Sequence, residues 1–219
     1  VVSCGDDSTS DPLSLEKDII AMEAVGGVEK IQVTANDKWI ASTDNPWITI
    51  SPANGIGSSM CEFKIDSALT VEPRRGVVRI QNLATWDERE VVVEQKGFPY
   101  SIEVDDTSVD ISNYDEYSNR HFDVTINSNV DFKIDIPDNA ASWLSYDSYE
   151  IKLDRGMRPR KVKVRFKWDI NSSPVERLAE VKFSPRQSVE MSRSDVLKVK
   201  QGAADPIIPY MNEAELGRT

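Results

Sequence analysis

Acid–base and nucleophilic chemistry near neutral pH needs an imidazole, an activated thiol or hydroxyl, or two carboxylates held in unlike environments. The 219-residue chain has one histidine, His121, and two cysteines, Cys4 and Cys61. His121, beside the apolar Phe122, has no second imidazole and no Ser or Cys in a recognisable motif to act with, which argues against a catalytic triad. Carboxylates are plentiful, but they lie in solvated turns, which accounts for them without a glycosidase pair. The acidic run Asp105-Asp106-Thr107-Ser108-Val109-Asp110, with Asp115 and Glu116 after it, lacks the ordered spacing of a calcium loop. These residues imply no enzyme, no metal and no cofactor.

The chain does offer aromatic rings of the kind that stack on pyranose faces beside amide and carboxylate hydrogen bonds. Trp86 lies in Asn82-Leu83-Ala84-Thr85-Trp86-Asp87-Glu88-Arg89, which reads as a hairpin tip, so Trp86 and Asp87 are the first candidates for contact with a glycan or a protein. The alternative is a ring folded back over its own hairpin. Tyr146 and Tyr149, beside Asp147 and Ser148, form a second cluster, and Tyr114 and Tyr117 a third. Trp39, Trp47 and Trp143 recur at positions that define a repeat and are expected to anchor cores, and Trp168 falls on the apolar face of its run. By period two, Cys61 shares a face with Phe63 and Ile65 and is expected to be a buried, unreactive thiol.

The elements that must position these rings come twice. Trp47-Ile48-Thr49-Ile50-Ser51 is answered by Trp143-Leu144-Ser145, Arg75-Gly76-Val77-Val78-Arg79-Ile80 by Arg177-Leu178-Ala179-Glu180-Val181-Lys182-Phe183, and Val93-Glu94-Gln95-Lys96-Gly97 by Val199-Lys200-Gln201-Gly202. The interval from Trp143 to Gln201 is longer than that from Trp47 to Gln95, so the second copy carries insertions. Both copies alternate apolar and polar residues between turn signals such as Gly26-Gly27, Asn36-Asp37, Asn54-Gly55 and Ser184-Pro185, without sustained helical spacing. Lys161 to Asp169 alternates most cleanly, and its charged face reads as protection of an exposed sheet edge. Seven or so short strands per copy predict an all-β chain of two tandem immunoglobulin-like antiparallel β-sandwiches, with a closed barrel as the lesser alternative. The expected domains are residues 13–97 and 98–202, joined by a short Pro99-stiffened link, with a tether at 1–12 and a tail at 203–219.

With 37 acidic and 26 basic residues and a net charge of −11, the chain is expected to repel nucleic acid and anionic lipid. It has no run of about 20 apolar residues, so membrane attachment would have to be covalent. Val1-Val2-Ser3-Cys4-Gly5 resembles the end of a bacterial lipoprotein signal, with Cys4 as the lipidated residue. The acidic Asp6-Asp7 after it resembles a surface-export signal of Bacteroidetes lipoproteins. That resemblance implies an outer-membrane, surface-exposed protein held by an N-terminal lipid anchor.

Asn36-Asp37-Lys38-Trp39, Pro46-Trp47-Ile48-Thr49-Ile50-Ser51-Pro52, Gly55-Ile56-Gly57, Arg75 to Ile80 and Val93 to Gly97 together resemble a BACON domain (Bacteroidetes-associated carbohydrate-binding often N-terminal). The resemblance spans Leu13 to Gly97 and is poorer over Tyr100 to Gly202, where Phe132 stands for Trp39 and the Gly-x-Gly turn is missing. It implies an immunoglobulin-like sandwich on a surface or secreted protein of a glycan- or nutrient-acquisition system. Such a module either binds carbohydrate, as polysaccharide or mucin glycan, or serves as a spacer or accessory to an outer-membrane transporter or surface enzyme.

Overall fold

A computed structural model describes residues 12–205. The described residues are all-β apart from one 3-10 turn and divide into two compact units, the first running to Pro99 and including Asp154–Arg158, the second comprising Tyr100–Leu153 and the described residues from Pro159 on. Phe98, one residue past the repeat boundary at Gly97, packs in the first unit with Ala24 and Ala68. Cys4 and all but Pro12 of the expected tether at 1–12 lie outside the described residues, as does the expected tail at 203–219 from Pro206 on.

The first unit contains β1 (Leu13–Leu15), β2 (Ile19–Met22), β3 (Gly27–Ala35), β4 (Lys38–Ser42), β5 (Ile48–Ser51), β6 (Asn54–Ile56), β7 (Ser59–Ile65), β8 (Arg74–Asn82) and β9 (Glu88–Gln95). They form two sheets, ordered β1-β3-β7-β5 and β2-β9-β8-β4-β6. The second contains β10 (Tyr100–Val104), β11 (Ser108–Ile111), β12 (His121–Ser128), β13 (Phe132–Asp135), β14 (Leu144–Tyr146), β15 (Arg160–Trp168), β16 (Arg177–Pro185), β17 (Met191–Ser194) and β18 (Val196–Gln201). Its sheets run β17-β10-β12-β15-β14 and β11-β18-β16-β13.

Laid side by side, the two orders match strand for strand, with β6 added to one copy and β17 to the other. In each copy the first strand is broken so that its halves serve different sheets. β1 and β10 pair antiparallel with β3 and β12, while β2 and β11 pair parallel with β9 and β18. These parallel ladders, and β17 against β10, are the exceptions in otherwise antiparallel sheets.

Alternation builds the cores. In β15, Val162, Val164, Phe166 and Trp168 are buried and the residues between them exposed. The first core gathers Ile31, Val33, Trp39, Cys61, Phe63, Val78, Ile80, Val91 and Val93, each large side chain contributing roughly 1.5–3 kcal/mol by leaving water. Strand β15 is not the edge its charges suggested, because β12 and β14 flank it on either side. Its basic residues instead pair across the wet face of the sheet. Arg165 sits opposite Asp123 at 2.8 Å, Lys163 reaches the same carboxylate at 3.5 Å, and Lys167 meets Asp147 at 2.5 Å.

The repeat signature has a common structural use. Asp66 and Asp169, just past β7 and β15, donate their N–H to the carbonyls of Trp47 and Trp143 at 2.9 and 2.8 Å. Their own carbonyls accept from the buried carboxamides of Gln95 and Gln201, each at 2.9 Å. Each Gln thus ties the last strand of its sandwich to the far sheet.

Candidate functional site

The hairpin tip between β8 and β9 is fixed by Asn82, whose side chain is fully buried. Its Nδ2 donates to the Pro12 carbonyl at 2.9 Å and its Oδ1 accepts from the N–H groups of Ala84 (2.9 Å) and Thr85 (3.2 Å). The Trp86 N–H closes the turn onto the Asn82 carbonyl at 2.9 Å. On this frame Trp86 has a φ of 65°, a left-handed conformation uncommon for a bulky residue, and is 69% exposed. The ring stands out into solvent and does not fold back over its hairpin. Asp87, half-buried beside it, donates its backbone N–H to the Thr85 hydroxyl.

The other sequence candidates separate. Tyr149 is committed to its own core: its ring stacks on Phe132 at 5.1 Å, its hydroxyl donates to the Phe132 carbonyl at 2.6 Å, and burial pushes its phenol up. Tyr149 is therefore corrected from a ligand-contact candidate to a packing residue. Tyr146, 37% exposed, tilts against Tyr149 and Phe166, leaving one flank to solvent. Trp39 is fully buried and donates from Nε1 to the Gly57 carbonyl at 2.9 Å, with Gly55 flat against its indole, where any Cβ would fall 2.7 Å from the ring. Phe132, without an N–H to satisfy, takes the corresponding place in the second copy, with Tyr149 in place of the missing Gly-x-Gly strand. Trp143 and Trp168 are each 5% exposed, while Trp47 is half-buried under the Arg74 guanidinium at 4.1 Å. Cys61 is fully buried, its Sγ 3.2 Å from the Pro52 carbonyl, and burial raises its thiol to about 11.

A constellation that the sequence did not disclose lies in the second sandwich. The 3-10 turn Tyr117–Asn119, the start of β12, β14 and the end of β15 enclose a cleft of about 380 Å³, within the range of small-ligand clefts, roughly 300–1,000 Å³. It is lined by Tyr117, Arg120 and His121, by Arg165 and Lys167, and by Trp143 and Trp168. Asp147 and Asp169 add carboxylates. The side chain of Arg120 is only 16% exposed, yet the one carboxylate within reach among the described residues, Asp169, is 4.0 Å away. Its Nε is buried with no hydrogen-bond partner among the described residues. Its guanidinium lies 4.9 Å from the centre of the Tyr117 ring, itself 85% exposed. Asp123, nearby, is held below the usual carboxylate range chiefly by its hydrogen bond from Arg165. No group of three or more His, Cys, Asp or Glu among the described residues is placed to hold a metal ion.

No protein-family model and no curated protein matches the chain. Among solved structures it is similar to a Bacteroides ovatus GH5 xyloglucanase in complex with a XXXG heptasaccharide, at 22% identity and a TM-score of 0.37 over 46% of this chain and 22% of that one. The chain thus spans about a fifth of that enzyme's length. A Porphyromonas gingivalis protein of unknown function aligns over 88% of this chain and all of its own, at 11% identity and a TM-score of 0.32. A Bacteroides thetaiotaomicron protein aligns over 44% of this chain and 96% of its own, at 16% identity and a TM-score of 0.30.

Proposed function

We propose that this chain is a non-enzymatic glycan-binding module, built of two BACON-like sandwiches and held on the bacterial surface through a lipidated Cys4, in a glycan- or nutrient-acquisition system. The observation that carries this reading is Trp86. A bulky aromatic kept in a left-handed conformation, on a turn pinned by a buried Asn82 and with most of its surface in water, contributes little to the core it hangs from. Its conformational cost, on the order of 1 kcal/mol, is accounted for by a ligand contact made outside the fold. A flat apolar ring on a rigid scaffold suits the axial face of a pyranose, and Asp87 beside it can accept from sugar hydroxyls.

The non-enzymatic part rests on how the polar groups are engaged. Asp147 and Asp169 each face a cation, Lys167 and Arg120, and His121 is exposed on the strand end facing Lys167. Neither carboxyl is withdrawn from water, the setting in which a carboxylic acid stays protonated to act as general acid at neutral pH. The test is a glycan and mucin retention screen of the whole chain beside Trp86→Ala, with tryptophan fluorescence read on each hit. Retention on neutral glycans lost in the variant, with folding unchanged, is the expected result. A blank screen would overturn the reading in favour of a spacer or an accessory to an outer-membrane transporter or surface enzyme.

A further inference from the structure

We infer that the second sandwich carries a binding cleft of its own, between Tyr117, Arg120 and the end of β15, that takes an acidic sugar through its carboxylate or sulfate group. The ligand class, a sugar, rests on the glycan-binding reading above; the preference for an acid rests on Arg120. Arg120 is the one cation of the cleft whose charge is poorly matched. Arg165 and Lys167 are engaged at 2.8 and 2.5 Å by Asp123 and Asp147, whereas Arg120 has Asp169 at 4.0 Å and an Nε with no partner.

The buried Nε of this guanidinium has no partner and its outer nitrogens meet a carboxylate only at 4.0 Å, so an oxyanion arriving at those outer nitrogens supplies the close counter-charge that the group lacks. The planar donor set fits a carboxylate or sulfate with two parallel bonds, which a neutral hydroxyl does not reproduce. In a chain of net charge −11, an unmatched cation inside a cleft is a selective feature against its own surroundings.

The rest of the cleft suits the remainder of a sugar. Tyr117 is 85% exposed and carries the guanidinium over one ring face, which leaves the other face for a pyranose ring. Ser145 and His121 supply hydrogen-bonding groups at the rim. Every one of these residues lies within the second sandwich, so the site does not depend on Trp86.

The experiment measures binding of the full chain to three probes by calorimetry: an oligogalacturonate, the same oligosaccharide with its carboxylates methyl-esterified, and a sulfated galactan oligosaccharide. Each is titrated against the parent, Arg120→Gln, Tyr117→Ala and Trp86→Ala, with circular dichroism confirming folding. The expected result is that at least one acidic probe binds roughly tenfold or more tightly than the ester, and that Arg120→Gln removes this preference. Tyr117→Ala, at an exposed position where folding is not at issue, should weaken the acidic probe severalfold, and Trp86→Ala should leave it unchanged. Which acidic probe binds tells carboxylate from sulfate. Equal binding of acid and ester, or an acid preference that survives Arg120→Gln, overturns the cleft even if Trp86-dependent binding of neutral glycans stands. Acid binding that persists in Trp86→Ala while neutral glycan screens stay blank supports the cleft and removes Trp86 as the glycan site.

Discussion

The two sandwiches close the same latch to different degrees. In the first, the Gln95 amide donates to the carbonyls of Asp66, Glu23 and Ala24, and its oxygen accepts from Arg74 Nε at 2.7 Å. Arg74 also reaches the carbonyls of Asp66 and Ser67 and covers the Trp47 ring at 4.1 Å. In the second, Gln201 donates to Asp169 and Ser112, but its buried oxygen has no partner among the described residues. Arg177 holds the register position of Arg74, not of Arg75 with which the sequence repeat aligned it, yet lies 5.8 Å from the Trp143 ring. The looser latch borders the cleft, since Trp143 and Asp169 belong to both. The longer segment from Ser112 to Arg120, standing where the first copy has the short turn after Met22, brings Tyr117 and Arg120 to the rim. One copy has spent its end loops on closing the fold, the other on opening a cavity.

Gln replacement breaks that comparison most directly. Gln95→Leu strands Arg74 and three carbonyls and should destabilise the first sandwich by about 3 kcal/mol, whereas Gln201→Leu, losing fewer bonds and removing an already unpartnered oxygen, should cost about 1 kcal/mol. Equal losses in urea unfolding of the two variants would remove the distinction. The same logic applied to the cations predicts about 1–2 kcal/mol for Arg74→Gln and less than about 0.5 kcal/mol for Arg177→Gln.

The second sandwich has a compensating tie of its own. Asp195, between β17 and β18, is only 14% exposed, and burial works to raise its carboxyl. Bonds from Arg193 and from the Val104 N–H, at 2.9 Å each, outweigh that and hold it below its usual value. A lowered folded value stabilises above the unfolded carboxyl value of about 3.9 and is lost as pH falls through the folded value. Asp195→Asn should therefore cost about 1–2 kcal/mol at pH 7 and progressively less below pH about 4. A loss that is the same at pH 7 and pH 3 would show that the charge is not what matters.

Cys61 gives the first sandwich an opposite dependence. With its thiol raised by burial to about 11, it contributes stability below the ordinary value of 9.0 that fades as pH rises toward 11. It should resist alkylation in the native chain at pH 8 and react on unfolding; rapid native labelling at this position would contradict the burial.

Much of this was legible in the sequence, for identifiable reasons. Alternation placed Val162, Val164, Phe166 and Trp168 inward because a strand's faces follow from period alone. The repeated Trp and Gln exposed the doubling, since a latch used twice leaves the same residues twice. Whether β15 is an edge was not legible, because neighbours are chosen by long-range pairing with β12 and β14. Nor was the cleft, which joins Tyr117 and Arg120 to Trp143 and Trp168 across the sheet. Tyr149 looked available because nothing local says that Phe132 needs a ring above it in place of Gly55.

Trp86 carries the smallest expected effect on stability and the most telling one. Its side chain is mostly in water, so Trp86→Ala should change unfolding free energy by less than about 0.5 kcal/mol. Trp86→Gly, which relieves the left-handed strain at φ 65°, should raise stability by about 0.5 kcal/mol. A position where glycine improves the fold but tryptophan stands is one whose side chain answers to something other than folding. If Trp86→Gly instead costs more than about 1 kcal/mol, the ring is a structural residue, and the contrast between a closed first sandwich that displays a ring and a second that encloses a cleft loses its first half.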